Sequence, residues 1–160
     1  DGYEVHVTPL QILTLYNAVA KAIIVKRAEK PIETVGELKS CLLSFAPKFK
    51  DYKFFAQVFQ ALRIEVNNEI GALKSLLEQS ADVIKKGGRL VVISYHSLED
   101  KLVKNYMNKG KFEGDVERDF YGNEIKPFKP LTRKAIVSDT EEMTKNPRSR
   151  SAKLRIAEKI

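Results

Sequence analysis

Four consecutive apolar residues, Leu90-Val91-Val92-Ile93, constrain the fold of this chain more than any other feature. They stand between the pair Gly87-Gly88 and the polar group Ser94-Tyr95-His96-Ser97. An apolar run without alternation suits a strand of a parallel sheet, covered on both faces. After it, Leu98, Leu102, Val103, Tyr106 and Met107 recur at helical spacing, with Ser97 as an expected cap and Asp100 three residues on. The stretch from Gly87 to Lys104 therefore reads as turn, buried strand, short loop and helix. In an open α/β sheet, ligands collect at the carboxyl ends of the strands, which is where Ser94 to Ser97 would lie.

The segments before it read as helices. Thr8-Pro9 suits a helix start, and Ile12, Leu15, Tyr16, Val19, Ala22 and Ile23 carry the period to about Arg27, with Pro31 beyond the end. Thr34-Val35-Gly36-Glu37 has capping-box spacing, and a short helix with Leu38, Cys41, Leu42 and Phe45 on its inner side should stop before Pro47. A third apolar pattern begins at an Asp51 cap, runs through Phe54, Phe55, Val58, Phe59, Leu62 and Val66, and resumes from Ile70 to Ile84. Asn67, Asn68 and Gly71 weaken helix propensity in its middle, so it is either one helix of about 35 residues or two with a bend near Asn67. Lys85-Lys86 in a last turn and a left-handed Gly87 would close it.

Beyond the central stretch, Gly110 is placed to end a helix, and Lys111 to Pro130 reads as a long polar connection. Its aromatic residues Phe112, Phe120, Tyr121 and Phe128 either pin it to the body or offer stacking surfaces to bases. Short strands are expected from Arg133 to Val137 and from Ala152 to Glu158, with a short helix between them from a Thr140 cap to Lys145. Lys153 and Arg155 should share one face of the last strand, with Leu154 and Ile156 on the other. The two strands pair antiparallel and, beside Leu90 to Ser94, make the far edge of an open sheet.

Charge and ligand chemistry narrow the function. The net charge of +7 is concentrated at one end, with ten Lys/Arg against four Asp/Glu from Lys126 to Ile160. A surface of that kind meets phosphates. The single Cys41 excludes an internal disulfide and a thiolate cage, and it is expected to be a buried structural thiol. His6 and His96 stand far apart and show no metal-ligand spacing, so no metal is expected on His or Cys. No stretch approaches the roughly 20 apolar residues that span a bilayer, and a cytoplasmic location is expected, without membrane contact.

Three segments carry a resemblance. FQALRIEVNNE (Phe59 to Glu69), KKGGRLVVISYHSLEDKLVK (Lys85 to Lys104) and NPRSRSAKLRIAEK (Asn146 to Lys159) resemble, in the same order, the signature segments of the small-subunit ribosomal RNA methyltransferase H family, also called MraW. The resemblance covers essentially Pro31 to Ile160, and the loop around Glu113 to Phe128 looks like that of Bacteroidetes-type members. It implies methylation of a cytosine N4 in the decoding region of 16S rRNA by S-adenosylmethionine. It also implies an α/β fold: the carboxyl-terminal portion of a Rossmann-like class I methyltransferase sheet plus a helical insert domain, mostly helical with three strands. Residues 1–58 would be the helical, substrate-facing insert and 59–160 the sheet part.

The chain departs from the family in lacking a GGGGH-type loop with its acidic follower and an LDLGVSS-type strand end, and Tyr3 to Val25 is compressed or altered. It therefore looks like a carboxyl-terminal half without the cofactor site. Gly87-Gly88 precedes a strand, whereas a cofactor loop follows one. An incomplete sheet would leave an unpaired edge through which two copies of the chain could pair.

The candidate catalytic residues are His96, which either takes part in removing the amino proton or orders its loop, and Asn67. Arg63 and Asn68, with Asn67, are placed to read the edge and phosphate of an unstacked cytosine, against local roles in pairing and bending the chain. Arg148 and Arg150, with Ser149, are the expected phosphate contacts; the alternative is pairing of the arginines with Glu141 or Glu142. Ser97, Lys153 and Arg155 complete the expected RNA-binding set. The partner implied is 16S rRNA or the small ribosomal subunit.

Overall fold

The computed structural model describes residues 9–160, and side chains from residue 17 onward. His6 and the Thr8 cap lie outside the described residues. The fold mixes helices with small antiparallel sheets, and the chain divides into two compact units, residues 1–63 and 64–160.

The first unit is helical. Helix α1 (Pro9–Glu29) ends with Lys26 and Arg27 in its last turn, where cations complement the helix dipole. Helix α2 (Val35–Leu42) starts from a complete capping box: the Thr34 hydroxyl accepts from the Glu37 amide, and the Glu37 carboxylate accepts from the Thr34 amide. A short 3-10 turn, Leu43–Phe45, follows before Pro47. Helix α3 (Asp51–Val66) brings Phe54 and Phe55 against Val19 and Leu42, which are the buried centre of this unit. Cys41 packs beside them and its thiol donates to the Ala22 carbonyl, a structural role as expected, although the residue is half-buried instead of buried.

Near the start of the second unit, the choice that sequence left open between one long helix and two with a bend near Asn67 is decided. Asn68 adopts a left-handed conformation, φ 49°, between α3 and helix α4 (Glu69–Val83). Asn tolerates that region better than other non-glycine residues. The pattern is thus two helices, and α4 stops at Val83, earlier than the Lys86 end expected. Gly87 does take a positive φ of 81°, but its amide donates to the Lys159 carbonyl, tying the turn to the last strand instead of closing α4.

Strand β1 (Arg89–Ser94) leads through Tyr95-His96 into helix α5 (Ser97–Lys109), which ends at a left-handed Gly110. His96 occupies the cap position without a side-chain cap bond, and Ser97 is the first helical residue, so the cap expected of Ser97 is shifted by one. The long connection holds a two-residue hairpin, β2 (Glu117–Arg118) and β3 (Glu124–Ile125), and a short strand β4 (Phe128–Pro130). Strand β5 shrinks to Ile136–Val137. Helix α6 (Thr140–Lys145) is capped by Asp139, not Thr140, and a 3-10 turn, Pro147–Ser151, precedes strand β6 (Lys153–Lys159).

Strand β6 is the spine of the main sheet. It pairs antiparallel with β1 from Lys153 to Glu158, and with β4 and β5 on its other side, so the parallel pairing that the apolar run of β1 suggests is not found among the described residues. Among the described residues, six short strands thus replace the three expected, because Phe128–Pro130 and the hairpin read as loop in sequence. One face of the sheet is covered: Leu90, Val92 and Ala157 pack with Leu77, Val103, Tyr106, Met107 and Phe128. The other face of β1 carries Val91 and Ile93, each more than half exposed among the described residues. The two-sided burial expected of β1 therefore holds on one side only.

The aromatic residues of the connection divide. Phe112 stacks on Tyr106 with centroids 5.1 Å apart, and Phe128 is fully buried. Phe120 and Tyr121 remain exposed at the hairpin tip, held there by amides that donate to the Asp119 side chain.

Candidate functional site

Strand register sets the geometry. Ser94 at the carboxyl end of β1 lies opposite Lys153 at the start of β6. The turn Pro147–Ser151 runs directly into that start, so the turn and the loop Tyr95-His96 share one end of the sheet.

At that end the fold gathers residues from two places. Glu99 stands on the first turn of α5 and reaches back: one carboxylate oxygen accepts from the Tyr95 amide at 3.0 Å, and the other lies 3.0 Å from His96 Nε2. Glu69, first residue of α4, accepts a long 3.4 Å hydrogen bond from Asn67 Nδ2. One ligand-type atom each from Glu69, His96 and Glu99 lies within 4.8 Å of the others. Asn67, which bonds Glu69, and His96, both singled out from sequence, are thereby brought to the same cluster. The two glutamates were missed because they are remote in sequence and each reads as an ordinary first-turn acid.

His96 is largely enclosed, its side chain 15% exposed. Both ring nitrogens are out of reach of solvent and neither makes a hydrogen bond. Asn67 and Asn68 are exposed, as is Arg63 on the last turn of α3. Ser97 is exposed at the start of α5.

The cationic end divides into committed and uncommitted groups. Arg155 lies on the covered face of β6, 12% exposed, and binds Asp100 of α5 with two hydrogen bonds. Lys153 stands 3.5 Å from the same carboxylate. Burial by itself would raise the Asp100 carboxyl, and the two cations outweigh it to hold the group below its ordinary value. Arg148 and Arg150 are exposed and form no ion pair among the described residues, while Glu141 pairs with Lys145 instead. Ser149 between them turns inward and is buried, its hydroxyl without a partner and its carbonyl accepting from Ser138 Oγ.

The glycine pair does not fit a nucleotide-type cofactor. The Gly87 and Gly88 amides already donate to Lys159 and Lys85 carbonyls, and a Cβ on Gly88 would meet Ile84 and the Lys85 carbonyl within 3 Å. Both amides of the turn are taken by carbonyls of its own chain, which leaves neither directed at a phosphate or ribose.

Comparison with known proteins agrees with the three motifs. The model of the MraW methylase family matches residues 13–160. The ribosomal RNA small subunit methyltransferase H of Amoebophilus asiaticus is 60% identical over 142 residues, covering 89% of this chain and 46% of that protein. Its counterpart from Cytophaga hutchinsonii is 56% identical over 154 residues, with 92% and 51% covered, and that from Parabacteroides distasonis is 53% identical over 148 residues. The chain spans about half the length of these curated relatives. With the family match running from near its start to its last residue, the chain belongs to the MraW methylase family.

Proposed function

We propose that this chain forms the RNA-facing side of an enzyme that methylates N4 of a cytosine in 16S rRNA with S-adenosylmethionine. Its sheet would be the last part of a Rossmann-like class I methyltransferase fold, and residues 1–58 part of the helical insert. The observation that carries this reading is the placement of Arg148 and Arg150, exposed and without an ion pair among the described residues, beside the carboxyl end of β1. Arg forks match phosphate oxygens, and phosphate contacts set the register of a bound strand. Arg63, Asn67 and Asn68 offer the donors and acceptors that read an unstacked base edge. His96, with its ring enclosed, acts as a positioning residue for the Tyr95 to Glu99 turn. Lys153 contributes positive charge through a half-exposed ammonium, and Arg155 supports the sheet from its covered face.

Binding of a 16S rRNA fragment by fluorescence anisotropy across a salt series tests this. The expected result is salt-dependent binding whose slope, plotted as log K against log salt, falls by roughly 1.5 in the double variant R148E/R150E. Equal affinity of variant and parent throughout the series overturns it.

The methyl donor is, in this reading, not held by these residues, which the engaged Gly87 and Gly88 amides support. Calorimetric titration with S-adenosylmethionine is expected to show no binding to the chain, and tight stoichiometric binding would contradict that. The same engaged amides favour a second reading, a non-catalytic RNA-binding or assembly module. It predicts RNA binding without methyl transfer even when S-adenosylmethionine is supplied.

A further inference from the structure

We propose that Glu69, His96 and Glu99 form a binding site for a divalent transition-metal ion at the carboxyl end of β1. The inference is independent of methyl transfer. It rests on two observations. The first is convergence: two carboxylate oxygens and an imidazole nitrogen, from α4 and from the β1–α5 turn, lie within 4.8 Å of one another. Metal–ligand bonds of about 2.0–2.2 Å place the ligand atoms of one ion roughly 3 to 4 Å apart. Small side-chain rotations close the remaining gap.

The second observation is the state of His96. Both ring nitrogens are buried and neither makes a hydrogen bond, although Glu99 lies 3.0 Å from Nε2. Buried polar atoms without partners are rare, and an ion or a water is the usual explanation. A carboxylate close by but poorly aligned does not satisfy an N–H, whereas a cation placed between them satisfies the nitrogen lone pair and the facing Glu99 oxygen at once. This donor set of one imidazole and two carboxylates suits Zn²⁺ or Mn²⁺, whereas Mg²⁺ and Ca²⁺ take oxygen ligands.

The local architecture supports such a role. Glu99 is fixed by the Tyr95 amide, which accounts for one of its oxygens and leaves the other facing His96. Glu69 begins α4, immediately after the left-handed Asn68, so the helix start is set by the backbone and not by a capping side chain. Neither histidine showed metal-ligand spacing in sequence, because the ligands are assembled by packing of α4 against α5.

Equilibrium dialysis of the 160-residue chain against ZnCl2 and MnCl2, with MgCl2 as contrast, tests the proposal, and Co²⁺ absorption gives a spectroscopic signature of a nitrogen and oxygen ligand set. The expected result is one equivalent of Zn²⁺ bound below ~1 mM free ion. Affinity should fall at least tenfold in E69Q and in H96Q and stay unchanged in H6A. Because Glu99 also orders the turn, E99Q serves only alongside circular dichroism, and E69Q decides. Failure to bind Zn²⁺ below that concentration, or binding that survives both E69Q and H96Q, overturns the proposal; a water in the cluster gives the first of these results.

Discussion

Arg155 on β6 grips Asp100 on α5 side by side, Nε to Oδ1 at 2.6 Å and Nη2 to Oδ2 at 3.1 Å, with both side chains only 12% exposed. The pair crosses from the sheet to the helix that covers it, and Lys153 adds a second cation 3.5 Å from Oδ2. Removing one partner strands the other charge in a poorly solvated place. D100A and R155A are each expected to lose about 3 kcal/mol in urea denaturation. The pair D100L/R155M should recover part of that loss, since an apolar replacement leaves no orphan. Single variants as stable as the parent would contradict this account.

The same contact fixes a pH dependence. Asp100 is held below its ordinary value in the folded chain, against the opposing effect of burial, while the unfolded chain should titrate near about 3.9. Its stabilisation is therefore present in full above about pH 4 and is lost as pH falls through the lower folded value. Denaturant midpoints measured between pH 6 and pH 2 should drop more steeply in the parent than in D100N. Parallel curves would show that Asp100 carries no such linkage.

Glu37 offers a local titration in the other unit. The Glu33 amide, the Lys30 ammonium and the Thr34 amide all reach its carboxylate and bring its pKa down to about 2. The stabilising contribution of the capping box is present above the ordinary carboxylate range and fades as pH falls toward 2. The side-chain carbon of Glu37, followed by NMR, should titrate about two units below a model glutamate, and T34A should leave it lowered but by less. A Glu37 that titrates near 4.3 would contradict the hydrogen-bonded geometry.

How much of this was readable before the fold was known depends on distance along the chain. The capping box at Thr34 and Glu37 and the glycine end at Gly110 are local features, set by residues within a few positions, and they appear where sequence places them, while the bend near Asn67 that sequence left as one of two alternatives falls at Asn68. Strand β4 escaped because Phe128-Lys129-Pro130 contains a proline and a charge, and only pairing with β6 makes it a strand. Alternation along β6 separated Arg155 from Leu154 and Ile156, but it does not reveal that α5 covers the face on which Arg155 lies. The cluster of Glu69, His96 and Glu99 depends on how α4 meets α5, and no spacing rule reports that.

Asn68 gives a backbone test. Its φ of 49° and ψ of 40° lie in the left-handed region, which costs a β-branched residue about 1–2 kcal/mol more than asparagine or glycine. N68V should lower stability by that amount, and N68G should stay within a few tenths of the parent. Equal stability of N68V and N68G would mean that the bend is not held in that conformation.

Strand β1 sets the last prediction. It stands at the edge of its sheet among the described residues, with β6 on one side, and its outer face presents Val91 and Ile93, 54% and 55% exposed. Leu154 and Ile136 continue that apolar face in register with Ile93. An edge strand with unpaired backbone groups and apolar side chains is a template for pairing with another copy. Self-association of the 160-residue chain is therefore expected in light scattering at high concentration. I93K places a charge on the outer face without entering the covered side, so it should shift the chain toward monomer while leaving the denaturant midpoint of the monomer little changed. A strictly monomeric parent at high concentration, or equal association of the parent and I93K, would show that this strand is not the contact.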